Sequence, residues 1–255
     1  MKTVNINAKD LTHRQLNERI RAELSAGAGH ISLLNVNGHR YIASGIKSSA
    51  VIDIHGTAGN DLGSFLSGCH LNIFGNAQDC AANTMNSGKI VIHGSAGDIL
   101  GYGLRGGKIF VAGNTGYRTG IHMKSYKDMT PVVVIGGSAR DFCAEYMAGG
   151  IIILLGLKYK SGILSEDESK EDIIGNFTGT GMHGGTVYIR GSIKKYQLGR
   201  EVSPVKLNDD DMHILKSNVE EFCRDFRLDS KKILKKEFIK LKAVNHRPYG
   251  AIYAY

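Results

Sequence analysis

Glycine recurs at a fixed interval along this chain: Gly56, Gly75, Gly94 and Gly113 stand 19 residues apart. Gly137 follows 24 residues on, with five inserted, and Gly156 comes after another 19. Gly191 lies 35 beyond, which leaves room for one repeat plus 16 extra residues. A self-similar period of this length marks a solenoid, in which each unit cannot bury its own apolar side and must stack on its neighbours. Aligned on the glycines, the columns are chemically uniform. Two residues before each glycine stand Ile54, Ile73, Ile92, Val111, Ile135, Leu154 and Ile189. Four before it stand Ile52, Leu71, Ile90, Ile109, Val133, Ile152 and Val187. Two aliphatic columns at period two describe a short strand with alternate side chains facing one interior.

After the glycine a small residue recurs (Ala58, Ala77, Ala96, Thr115, Ala139), then Gly63, Ala82, Gly101, Gly120 and Ala144. Three further on, Leu66, Met85, Leu104, Met123, Met147 and Met182 supply a second inward column. One strand per 19 residues, always in one direction, gives parallel stacking, and strand twist sets the hand. The periodicity therefore predicts an all-β fold: a single-stranded right-handed parallel β-helix of about seven coils. Glycine accounts for 33 of 255 residues, about 13% against a usual ~7%, as expected if it supplies the corners.

The ends depart from the repeat. Residues 12–26 read as a helix with Thr12 as N-cap, Gln15 closing a capping box, and Leu16, Ile20 and Leu24 on one face. Ile31–Val36 reads as an entering strand. Beyond Pro204, Asn208 is placed to cap a helix carrying Met212, Leu215, Val219 and Phe222, and a second, basic helix or strand leads to the terminus. The expected organisation is a cap over 1–49, the β-helix over 50–204 and a C-terminal helical extension over 205–255.

Composition excludes several classes. No apolar run approaches the ~20 residues of a membrane helix, and MKTVNINAKD has no apolar signal core, so a cytoplasmic protein is expected. Cys69, Cys80, Cys143 and Cys223 form no C-x-x-C pair and no zinc-ligand spacing, which reads as reduced, buried thiols. The net charge is +8, and residues 231–247 alone carry seven Lys or Arg against Glu237. With only Phe238 interleaved in Lys231–Lys242, that stretch reads as a solvated helix end, or a site for an acidic protein, before a nucleic-acid surface.

The run GSAGDILGYGLRGGKIFVAGNTG (94–116), continued by NSGKIVIHG and MAGGIIILLG, resembles the glycine-repeat (GXGXG) domain of the glutamate synthase large subunit. The likeness spans roughly residues 30–200, and HRPYGAIYAY (246–255) resembles the stand-alone, archaeal-type form of that domain. One of the subunits of formylmethanofuran dehydrogenase and one of N-methylglutamate synthase share the fold. The resemblance implies a structural subunit without catalytic residues, packed against glutaminase-type and FMN-dependent synthase subunits. FMN and iron–sulfur would reside in those partners, none in this chain. A homo-oligomer is compatible with this reading. The chain begins Met1-Lys2, without the cysteine nucleophile a glutaminase needs at its processed terminus.

Three motifs point elsewhere and fail on context. Gly101-Tyr102-Gly103-Leu104-Arg105-Gly106 satisfies G-x-G-x-x-G, but a dinucleotide site needs a helix directly after the glycines, and here a strand pattern (Lys108–Ala112) follows. His55 and His93 share a column with Phe74 between them, roughly 10 Å apart, too far for one zinc. Asn176-Phe177-Thr178 is a formal glycosylation sequon without meaning in a cytoplasmic chain.

One column favours interaction. Three before the glycine run Asp53, Asn72, Val91, Phe110, Val134, Ile153 and Tyr188, polar at first and apolar from the third coil. Something must cover the apolar part. Either the chain's own terminal helix does so, or Phe110, Val134, Ile153 and Tyr188 form a partner interface. The charged insertion Leu157–Phe177 is a second candidate contact.

Overall fold

The computed structural model describes residues 2–244. The terminal stretch 246–255, which resembles the stand-alone form of the domain, lies outside the described residues. The central element is an eleven-stranded sheet. Its body is parallel and runs through β1 (Lys2–Asn7), β2 (Ala28–His39), β3 (Val51–Ala58), β4 (Ser67–Phe74), β5 (Ser87–Ile92), β6 (Lys108–Val111), β7 (Val132–Ile135) and β8 (Ala148–Leu154). Between β1 and β2 lies α1 (His13–Ser25), and after β8 the chain makes an antiparallel hairpin, β9 (Leu157–Lys160) and β10 (Ile163–Glu168). β11 (Gly184–Arg190) then rejoins the sheet beside β8. β12 (Val202–Val205), α2 (Asp209–Phe226), α3 (Ser230–Leu234) and β13 (Phe238–Ala243) complete the described chain.

The register is that of the glycine columns. Ile52 pairs with Leu71, Leu71 with Ile90, Ile90 with Ile109, Ile109 with Val133, Val133 with Ile152 and Ile152 with Val187. This is a parallel β-helix with one strand per coil, and its seven repeat strands, β3–β8 and β11, are joined by six turns. The small-residue column pairs coil to coil as single bridges, Ala58 to Ala77, Ala96, Thr115 and Ala139. The aliphatic columns and Leu66, Met85, Leu104, Met123, Met147 and Met182 fill one interior, all fully buried.

Each coil returns through an arc in which alternate residues are left-handed: Asp61, Gly63 and Phe65 in one coil, Ile99, Gly101 and Gly103 in another. The arc is two overlapping turns, Tyr102 N–H donating to Ile99 O (3.2 Å) and Leu104 N–H to Gly101 O (3.1 Å). The left-handed residues bond alternately up and down the stack: Ile99 N–H to Tyr117 O (2.8 Å), Gly101 N–H to Ala81 O (2.8 Å), Gly103 N–H to Ile121 O (2.9 Å). The glycines of G-x-G-x-x-G are thus turn residues feeding β6, and no helix follows them.

Both ends are closed. α1 has the predicted capping box, Gln15 N–H donating to Thr12 Oγ1 and Thr12 N–H to Gln15 Oε1, and it seals one end of the core with Leu16 and Ile20. At the other end β13 lies antiparallel against β11, with Leu241 opposite Val187, and β12 pairs with β13. The sequence reading left residues 2–7 unassigned; they form β1, parallel to β2.

Candidate partner-facing surfaces

The sheet's outer face divides as the column chemistry predicts, but the chain itself covers the apolar half. Phe110, Val134, Ile153 and Tyr188 lie beneath α2, packed with Leu215, Val219 and Phe222 in one cluster, and each is at most 1% exposed. The expectation of a partner interface at these four residues is therefore corrected: a partner would have to displace α2 to reach them. α2 has the 3.6-residue spacing to bury Leu215, Val219 and Phe222 on one stripe. Met212, expected on that stripe, faces solvent, because the buried stripe begins instead at Asp211, four residues before Leu215.

Two polar latches fix α2. At its N-terminus, buried Asp211 accepts from Tyr188 Oη (2.6 Å), Lys240 Nζ (2.6 Å) and Asn208 N–H (2.7 Å). Burial alone raises a carboxyl's pKa, but these three donors outweigh it and hold Asp211 below its ordinary range. Burial and the Asp211 carboxylate push the Tyr188 phenol up. Nearer the C-terminus, Lys89 lies 2.7 Å from Glu221 and 2.6 Å from Asp225, with its ammonium over the Phe110 ring, and Lys108 also binds Glu221. Burial opposes ionisation of Glu221, and the two lysines overcome it. The basic stretch Lys231–Lys242 is thus partly engaged within the fold, Lys240 by Asp211 and Lys236 by Glu168 (2.6 Å).

The insertion Leu157–Phe177 is anchored to the fold at two points, though Ile163 at its tip and Phe177 at its end are exposed. Tyr159 seats on Gly113, where an added Cβ would lie 2.9 Å from its ring, and Glu166 accepts from Asp229 N–H at the start of α3 (2.9 Å). Between the hairpin tip and the end of α2 lies a groove of about 570 Å³, bordered by Asn72, His93, Ile163, Asp225 and Arg227. His55, Phe74 and His93 stack along it with centroids 4.9 and 4.8 Å apart, and Phe226 meets His93 edge-on. Burial lowers the His93 pKa, and burial with the nearby Lys89 charge lowers that of His70. The shared column of His55 and His93 is therefore a stacking column. Among the described residues no three His, Cys, Asp or Glu side chains come together as a metal site.

The arcs opposite the sheet carry an exposed surface, which α1 touches only at the first arc, where His13 meets Tyr41 and Arg21 donates to Ser44 O. Tyr41, Phe65, Tyr102, Tyr117 and Phe177 are each 40–55% exposed there. Two ring stacks extend this surface: exposed His122 stacks on half-buried Tyr146 (5.3 Å) and meets Tyr102 edge-on, and half-buried Phe142 stacks on Phe177 (5.1 Å). Arg118 lies over Phe142 and binds Glu145 at 2.8 Å. Acidic residues stack here too, but Asp79 and Asp98 each accept the backbone N–H of the next coil (2.9 and 2.8 Å) and are engaged in holding the turns. Exposed aromatic side chains on a rigid frame are the composition of a protein-binding patch. Sequence reasoning left the sheet column to either the terminal helix or a partner, named the insertion as a second contact, and did not single out this face. A partial signal was present five after two of the repeat glycines, at Arg118 and Phe142, where earlier coils carry Asp61 and Cys80.

A family model described as GXGXG motif matches residues 15–245. An uncharacterized protein of Methanocaldococcus jannaschii is 49% identical over 259 residues, covering 99% of this chain and 97% of its own length. Among solved structures, a chain of the formyltransferase/hydrolase complex (FhcABCD) from Methylorubrum extorquens, determined with methylofuran, superposes with a TM-score of 0.61. It is 18% identical, and the superposition covers 91% of each chain.

Proposed function

The chain belongs to the GXGXG motif family, and from that premise we propose that it is a non-catalytic organising subunit of a multi-subunit oxidoreductase. In this reading it is of glutamate synthase type and packs against a glutaminase-type subunit and an FMN- and iron–sulfur-containing synthase subunit. The observation that carries the reading is the exposed aromatic ladder on the arcs, from Tyr102 to Phe177, which the described helices leave uncovered while they close the sheet face and one end of the core. The donor set does not suit a resident cluster: Cys69, Cys143 and Cys223 are buried apart, and Cys80 lies alone at a turn. In this reading FMN and iron–sulfur reside in the partners. A second reading, the equivalent subunit of a formylmethanofuran dehydrogenase, draws support from the overall likeness to a chain of the solved formyltransferase/hydrolase complex.

The test is isolation of the tagged protein from its native host, with and without Tyr102→Asp and Tyr117→Asp. Both side chains are exposed, so the thermal midpoint is expected to hold while associated subunits are lost. Co-purifying flavin and iron–sulfur subunits with glutamine-dependent glutamate formation support the first reading. A molybdenum- or tungsten-pterin subunit transfers it to the second. An unaccompanied wild-type protein removes both.

A further inference from the structure

The two edges of the sheet are managed differently. β12, at one end, carries Pro204, whose missing N–H blunts pairing. β1, at the other, is the six-residue run KTVNIN with no proline and no bulge between Thr3 and Asn7. Ala8 N–H donates to Leu34 O of β2 (2.8 Å), which fixes the parity of the parallel ladder. The even residues of β1 aim their backbone groups at β2, so Thr3, Asn5 and Asn7 aim theirs away from the sheet. Beside this edge runs a trough of about 360 Å³ between β1 and α1, floored by Val4 and Ala22 and flanked by Arg19 and Glu23. A trough along an edge that no other described strand pairs is the geometry of strand addition.

We propose that the occupant is a second copy of this chain, its β1 paired antiparallel with the first across a two-fold axis at Asn5. The argument is the palindromic polarity of the strand. With Asn5 opposite Asn5 of the partner, Thr3 falls opposite Asn7, so outward-aiming backbone meets outward-aiming backbone as an antiparallel ladder requires. The same register sets Val4 opposite Ile6 on the inner face, where Ile6 is buried and Val4 half-buried. The exposed side chains of Thr3, Asn5 and Asn7 meet one another on the outer face. Apolar thus meets apolar and polar meets polar in one register, and a one-residue slip destroys both matches. No like charges oppose each other, since Lys2 is engaged by Glu23 at 3.0 Å. The contact is isologous and closes on itself, as a two-fold dimer must. This inference concerns assembly of the chain with itself and does not depend on the enzyme it serves.

Sedimentation of the full chain over a concentration series tests it. The wild type is expected to reach twice the 27.7 kDa chain mass. Asn5→Pro removes an outward N–H from each copy and leaves the β1–β2 ladder intact, so the dimer dissociation constant should rise about tenfold or more. Asn5→Cys keeps the proposal falsifiable should the proline variant misfold. Cross-strand partners with Cα atoms ~5.5 Å apart lie within disulfide reach, so mild oxidation should yield a covalent dimer that Phe65→Cys, on the arcs, does not form. A monomeric wild type overturns the proposal. So does a folded Asn5→Pro protein that dimerises as tightly as the wild type, or an Asn5→Cys protein that fails to cross-link.

Discussion

Phe222→Ala is the perturbation that separates a helix covering its own sheet from a sheet awaiting a partner. The Phe222 ring is fully buried, 5.7 Å from Phe110 and 4.6 Å from Phe226 between centroids. Removing a buried Phe costs its transfer free energy plus the cavity left behind, about 3–5 kcal/mol. A solenoid's stability is close to a sum of neighbouring contacts, so the loss should fall on the docking of α2. The inter-coil hydrogen bonds of β5–β8 do not pass through Phe222 and should be spared. Hydrogen exchange read by peptide is the assay. Segments within 209–226 should lose protection by a factor on the order of 10²–10³, at ~1.4 kcal/mol per decade, with β5–β8 nearly unchanged. Combined with Phe110→Ala, the pair should show a coupling of about 0.5–1.5 kcal/mol beyond area burial. Unchanged protection in α2, or equal loss throughout the sheet, refutes the reasoning.

Acid should loosen the same interface in two steps. His70 and His93 have folded pKa values below their unfolded ones, so the stability they contribute is present above about pH 6.5 and is lost as pH falls. Asp211 and Glu221 are also depressed, so their contribution is full above about pH 4 and goes as pH drops through the lower folded values. Circular dichroism of α2 against pH, with His93→Gln removing part of the upper step, checks this. Burial pushes the Cys143 and Cys223 thiols up to about 12, so a thiol reagent at pH 8 should titrate no more than one of the four cysteines, Cys80, until the protein is denatured. Gly113→Ala should turn the Ser95 hydroxyl aside and evict Tyr159, raising proteolysis within 157–168 at constant sheet content, read by limited digestion. Phe177→Gly removes a left-handed non-glycine residue at φ 59° and should leave stability unchanged or raise it by up to about 1 kcal/mol while weakening partner capture, read by thermal melts and pull-down.

Much of the fold was legible because the repeat is a backbone property written in side chains. The aliphatic columns recur at the pitch of the stack, so register, strand direction and core follow together, and Thr12 and Asn208 announced their helices through local capping chemistry. The interface was not legible on the same terms. An apolar column from Val91 to Tyr188 says that something covers it, and only packing decides what. The decision rests on pairs far apart in sequence, Lys89 with Glu221 and Tyr188 with Asp211, which no local pattern contains. β1 escaped notice for a related reason: it adds a strand before the first glycine, and Lys2–Asn7 alternates without belonging to any column.

The arcs carry the backbone strain of this fold, on the face that the proposed function takes as partner-facing. Asp61, Cys80, Ile99, Arg118 and Phe142 occupy one left-handed column, with φ between 57 and 63°. Glycine would adopt that conformation freely, whereas an L residue there costs on the order of 1 kcal/mol or more, and a β-branched Ile99 is the least suited of all. The chain does place glycine or alanine two residues on, at Gly63, Ala82, Gly101, Gly120 and Ala144, where the Cβ would meet the packed interior. Larger residues are kept in the outer column although its backbone favours glycine. Hydrogen bonds from the coils above and below hold that strained conformation, so the scaffold offsets the strain. What the side chains supply is the ladder itself: Arg118 over Phe142, and Phe142 stacked on Phe177. The strain is therefore offset inside the chain, where Arg118 is held by Phe142 and Glu145 and Phe142 by Phe177, and under the proposed organising role the rings beside them are the groups a partner would meet.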